Sequence, residues 1–137
     1  MSTIKPTQAQ ILLVKAAEDE RALSAPDLSD SILGFHAQQA VEKLFKALLA
    51  QLNVDFEKTH DLERLQTALA ALDESLPPTP IRLDQLSDFA VVYRYDLLFQ
   101  FDSPDVTELI ETVRLLREHV VARIAALSAT PEPPPVQ

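Results

Sequence analysis

Cysteine is absent from this chain of 137 residues, tryptophan is absent too, and glycine occurs once, at Gly34. Without cysteine there are no disulfides and no thiolate metal sites. One glycine cannot build a P-loop, a dinucleotide-binding turn or a nucleophile elbow, each of which needs several. No run of about 18 apolar residues occurs, so no segment is expected to span a membrane. The opening Met1-Ser2-Thr3-Ile4-Lys5-Pro6 lacks the apolar core of a signal peptide. The expected setting is reduced and cytoplasmic, and neither a cofactor nor a metal is expected. Positive charge is also scarce, the net charge being -9. That excludes general adhesion to nucleic acid, which needs basic surface to displace counterions. A local basic pocket stays open.

What is present is a helical composition in a chain of one-domain length. Ala, Leu, Glu, Gln and Lys dominate, and alternating β-branched runs are few. The spacing predicts a first helix from about Thr7 to Leu23, with Thr7 as cap and Leu13, Ala16, Ala17 and Leu23 inward. Ser24-Ala25-Pro26-Asp27 breaks it. Ser29 or Asp30 then caps a long second helix reaching about Asn53. Thr59 reads as the cap of a third helix, whose stripe is Leu62, Leu65, Leu69 and Leu72. Thr79-Pro80 reads as cap and first residue of a fourth, from about Ile81 to Leu98. Ser103-Pro104 repeats the device before a fifth, reaching about Ser128. Short connections favour antiparallel neighbours, so the expected fold is all-α, an up-and-down bundle of four to five antiparallel helices over 1–128. Residues 129–137 are expected to form a proline-rich flexible tail.

The second helix carries the sharpest signals. Leu33, Ala37, Ala40, Leu44, Ala47 and Leu48 make one stripe, while Phe35, Phe45 and Leu49 lie on the far side. A helix apolar on both sides is central in its bundle or covered by a second subunit. Both are expected here, with a homodimer built around the second helix or the last, using Phe35, Phe45, Leu49 and Phe99. Gly34 is either a tolerated small residue or the mark of another helix approaching closely. Into this apolar segment the chain places His36, Gln38 and Gln39, polar groups that burial penalises unless they are paired.

These phrases together resemble a known family. Phe35-His36-Ala37-Gln38-Gln39-Ala40-Val41-Glu42-Lys43 through Ala47-Leu48-Leu49, then Lys58-Thr59-His60-Asp61-Leu62, then Arg94-Tyr95-Asp96, are similar to the HEPN domain, in the expected order over about Thr7 to Leu127. The resemblance implies a dimeric bundle of four or five helices in a small prokaryotic protein, often a partner of a minimal nucleotidyltransferase. It also implies one of two activities. Some members are metal-independent ribonucleases and toxins, and others are thought to bind nucleotides.

The ribonuclease branch carries an Arg, a polar residue, and a His a few positions on. Arg would stabilise phosphate charge and His would transfer the proton. No His follows Arg94. Arg114 and His119 have the spacing, but Leu115 stands where a polar residue is expected, and five helical steps rotate about 140°. The alternative for that pair is a solvated helix face.

Other candidates keep two readings each. His36, Gln39 and Lys43 share one side of the second helix. They either bind a phosphate or base, Lys43 giving charge and Gln39 directional hydrogen bonds, or they satisfy partners between helices. His60 either lines the same cleft or packs beside the start of the third helix, at the opposite end of the bundle from His36. Arg94, between Tyr93 and Tyr95, either grips a phosphate or pairs with an acid such as Asp96. His36 and His60 with a carboxylate do not form a recognised metal signature. The resulting ligand-binding set is His36, Gln39, Lys43 and Arg94, with His60 secondary. Three functions compete: a nucleotide-binding module working with a nucleotidyltransferase, a ribonuclease toxin with a rearranged site, and a structural assembly protein whose polar residues fix helix register.

Overall fold

Helix α2, Asp30–Gln51, is the axis of the fold, and each of the other four helices packs on it: α1 (Gln8–Ala22), α3 (Leu62–Ala70), α4 (Leu83–Tyr95) and α5 (Val106–Ala129). The computed structural model describes residues 5–56, 58–95 and 105–129, with side chains of all of these except 90–95. Among the described residues there is no strand, and no helix is long and apolar enough to cross a membrane.

Local chemistry sets the helix starts. Thr7 caps α1 in a reciprocal box with Gln10, whose side chain returns to the Thr7 amide. Ser29 caps α2. At α3 the expectation of Thr59 is corrected: Asp61 is the cap, accepting from the amides of Glu63 and Arg64, and Thr59 instead accepts from the Asp61 amide. A carboxylate one residue from the helix is a stronger cap for its positive end than a hydroxyl three residues away. Helix α4 begins later than Thr79-Pro80 suggests. The Arg82 carbonyl accepts its first bond, and Thr79 donates to the Ile81 carbonyl. Helix α5 is capped by Asp105 through the amides of Thr107 and Glu108. Ser103-Pro104, Phe99 and the tail from residue 130 lie outside the described residues.

The core is the apolar surface of α2. Ala37, Ala40, Val41, Phe45, Leu48 and Leu49 are all fully buried, against Leu62, Leu65 and Leu69 of α3, Leu86 of α4, and Leu109, Val113, Leu116 and Val120 of α5. This corrects the motive for a dimer around α2. Phe45 and Leu49 are covered by the chain's own helices, and Phe35 is half-buried. Among the described residues the exposed large apolar side chains are instead Ile11 and Val14 on α1, Leu72, and Ile110 and Val121 on α5.

Arginines of α5 fasten the bundle from outside. Arg117 pairs with Glu20 of α1 at 2.8 Å, and Arg123 with Glu74, after α3, at 2.7 Å. Hydrogen bonding from Arg123 holds the Glu74 carboxyl below its usual range, against the opposing effect of burial. At the other end Ile81 donates its amide to Thr112 of α5.

Gly34 marks a close approach. A Cβ there would lie 2.8 Å from two ring atoms of Phe89 on α4, including the stem carbon Cγ. That end of the ring cannot swing away, so α4 would have to move. Gly34→Ala would gain up to about 1 kcal/mol of helix propensity. Overpacking of this kind costs about 1–3 kcal/mol. The expected outcome is a net loss of about 1 kcal/mol in chemical denaturation. A gain in stability would show that α4 does not rest on Gly34.

Candidate functional site

Four helices leave one strip of α2 uncovered. The residues along it are Ile32, Phe35, His36, Gln39, Lys43, Lys46 and Ala50, all partly accessible in a helix buried elsewhere except at its end residues Asp30 and Gln51. At about 100° per residue they lie within one side of the helix, away from the Gly34 and Phe45 faces. Three of the expected site residues are on this strip.

His36 and Lys43 are held by an acid that sequence reasoning did not single out, and Gln39 by Gln38. Asp19 of α1 is buried, its side chain 12% exposed. One of its oxygens takes Nδ1 of His36 at 2.9 Å, and the other takes the Lys43 ammonium. Glu42 of α2 is more deeply buried, its side chain 5% exposed. Its Oε1 takes Nδ1 of His60 at 2.8 Å and the amide of Gln38 at 3.3 Å, and its Oε2 takes Lys46 at 3.3 Å. Gln38, fully buried, also donates to the His60 carbonyl at 3.0 Å and accepts from Gln39 at 2.8 Å.

The geometry accounts for both sequence phrases. In the first, His36 and Lys43 tie α1 to α2 through Asp19, while Gln38, Gln39 and Glu42 hold the segment before α3. In the second, Thr59 and Asp61 shape the start of α3, His60 docks on Glu42, and Leu62 fills the core while its amide donates to Ser87 of α4. His60 is therefore not at the far end of the bundle from His36. It meets α2 at Glu42, six residues along from His36, because the α2–α3 connection folds back against the middle of α2.

Arg94 lies in α4, and its side chain is outside the described residues. Its helix meets α2 on the Gly34 side through Phe89, about 200° round the helix from His36. Arg114 and His119 do not converge. Arg114 is clasped by Glu111 and Glu118 of its own helix, which raise its pKa further. His119 buries Nε2 without a hydrogen-bond partner among the described residues and lies close enough to Glu74 to lower its pKa slightly. A recess of about 660 Å3 lies elsewhere, with Leu76, Leu83 and Leu116 among its lining residues and Glu63, Gln66 and Arg82 at its edge. It holds none of the expected site residues, and Arg82 there is already engaged by Asp84.

Asp19 and Glu42 had legible signals. Asp19 falls on the inward stripe of α1 with Ala9 and Ala16, where an acid needs a partner. Glu42 stands four residues after Gln38 and four before Lys46 on one helix. Removing Glu42 takes the acceptor from the buried Gln38 amide, the largely buried Lys46 ammonium and the exposed His60 ring. Glu42→Leu is expected to destabilise the domain by about 2–3 kcal/mol in urea denaturation. A change under about 0.5 kcal/mol would mean the network is absent in solution.

The family model for the HEPN domain matches residues 14–124. Comparison with curated proteins and with solved structures gives no match. The matched segment begins within α1, spans both phrases and the polar strip, and ends in the last turns of α5. The chain belongs to the HEPN domain family.

Proposed function

We propose that this HEPN domain is a binding module for an anionic ligand of the nucleotide class, and that its recognition surface is the open strip of α2. The observation that carries this reading is the set of three nitrogen-bearing side chains on the partly accessible strip of α2, with the exposed His60 docked beside it on Glu42. His36, Lys43, Lys46 and His60 are each fixed in orientation by Asp19 or Glu42. Preorganised donors of this kind bind with little loss of side-chain freedom. Gln39 adds an amide for directional hydrogen bonds. Arg94 is left out of the strip, since its helix packs on the other side of α2.

A ribonuclease acting through Arg114 and His119 is the weaker reading. Arg114 is already occupied by two glutamates, and the two side chains leave α5 in different directions. Family membership supports a nucleotidyltransferase as the protein partner, with the nucleotide as the chemistry the two share. Calorimetry with ATP tests the site. Lys43→Ala is expected to weaken binding by about 1 kcal/mol or more, and Arg94→Ala to change it little. ATP binding that ignores Lys43→Ala and is lost in Arg94→Ala would move the pocket to α4.

The homodimer is proposed to form through α5. Ile110 and Val121 are exposed and stand 11 residues apart, about three turns, on one side of that helix. Val121→Glu is expected to shift light scattering at micromolar concentration from dimer to monomer. A wild-type protein that is monomeric there overturns this interface.

A further inference from the structure

His36 and His60 share one arrangement. Each turns Nδ1 to a carboxylate oxygen, at 2.9 Å from Asp19 and 2.8 Å from Glu42. An ionised carboxylate can only accept, so Nδ1 carries the proton in both rings. The neutral ring then presents Nε2 as a bare lone pair. A lone pair cannot donate to a phosphate oxygen, and it repels one.

The surrounding charges sharpen the point. Lys43 and Lys46 contribute two positive charges to the strip, and Asp19 and Glu42 two negative ones. With neutral imidazoles the strip carries no net charge, in a protein of net charge -9. Among the described residues the charged group in contact with His36 is Asp19 of α1, and through it Lys43 of α2, with the edge of the Phe35 ring as apolar neighbour. Around His60 they are Glu42 and Lys46 of α2 and the adjacent Asp61, whose carboxylate is engaged on the amides of α3. A dianion placed here meets two carboxylates and two lysines that already neutralise each other. Only protonation at Nε2 supplies both the missing charge and the missing donors.

We propose that anion binding at the α2 strip is proton-coupled, each bound anion drawing a proton from solvent onto Nε2 of His36 and of His60. This rests on the reading of the strip as an anion site. No bond to the ligand forms, and the protons return to solvent on release. Asp19 and Glu42 act as positioning residues, because they fix which nitrogen stays bare. The consequence is a module that captures its ligand at mildly acidic pH and lets it go as pH rises, by the reciprocity of linked binding.

ATP is the probe for the test, with affinity measured on the full chain at pH 6 and at pH 8.5. The wild type is expected to bind at least about tenfold more tightly at pH 6, and the double variant His36→Gln with His60→Gln to differ by no more than about threefold. The titration of ATP itself affects both proteins alike, so the difference between them reports the imidazoles. Equal pH dependence in the two proteins overturns the inference and leaves the binding site standing. No ATP binding by the wild type at pH 6 overturns both. Should the double variant not fold, imidazole NMR of the wild type decides. The chain has three histidines. Saturating ATP should raise the titration midpoints of His36 and His60 and leave that of His119 in place. Three unmoved midpoints in an ATP-saturated sample overturn the coupling.

Discussion

Two buried carboxylates, Asp19 and Glu42, are the constraint on which the polar organisation of this domain depends. A carboxylate removed from water is tolerated only when its oxygens are satisfied by donors. Asp19 takes one imidazole and one ammonium, and Glu42 takes an imidazole, an ammonium and an amide. Those bonds draw α1 against one flank of α2 and the segment before α3 against the other. The apolar core makes the helices associate. The two acids decide their register on α2, because a one-residue slip would rotate His36 and Lys43 by about 100° away from Asp19. The register-fixing and ligand-binding readings of these residues are therefore compatible: one set of bonds fastens the helices and orients the donors.

Charge explains why such a site can exist in so acidic a protein. The arginines of α5 are committed to Glu20, Glu74, Glu111 and Glu118, and Arg82 to Asp84. Arg117 and Arg123 brace the bundle, while Arg114 and Arg82 are engaged within their own segments. The lysines of α2 are paired too, but beside imidazoles, each of which has a second ring nitrogen able to take up a proton. The strip is thus the place where positive charge can be added without new side chains.

Much of the fold was legible in sequence. Helical spacing placed α1, α2 and α5 to within a few residues, since long periodic segments with Thr7 and Ser29 as caps leave little choice. The starts of α3, α4 and α5 were displaced because several cap residues crowd each turn. At α3, Thr59 and Asp61 compete, and only the folded backbone shows which one reaches the amides. The apolar excess of α2 was visible, but its cover was not. Periodicity states that Phe45 and Leu49 are buried, and cannot state whether a partner or the chain itself buries them. At the site, the basic and amide side chains stood out against an apolar helix. Their acidic partners left a fainter mark, Asp19 on the inward stripe of α1 and Glu42 at helical spacing from Gln38 and Lys46, and which donors they meet needed the opposing segments in place. Gly34 was readable as a close contact, though Phe89 as the contact needed the structure.

The central claim is that Asp19 and Glu42 fix the two imidazoles with Nδ1 protonated and Nε2 bare. Nitrogen-15 NMR of the histidine rings, in the ligand-free domain above neutral pH, tests it most directly. The account expects His36 and His60 both to show the Nδ1–H tautomer, with Asp19→Asn altering His36 alone. A dominant Nε2–H tautomer at either residue in the wild type would contradict it.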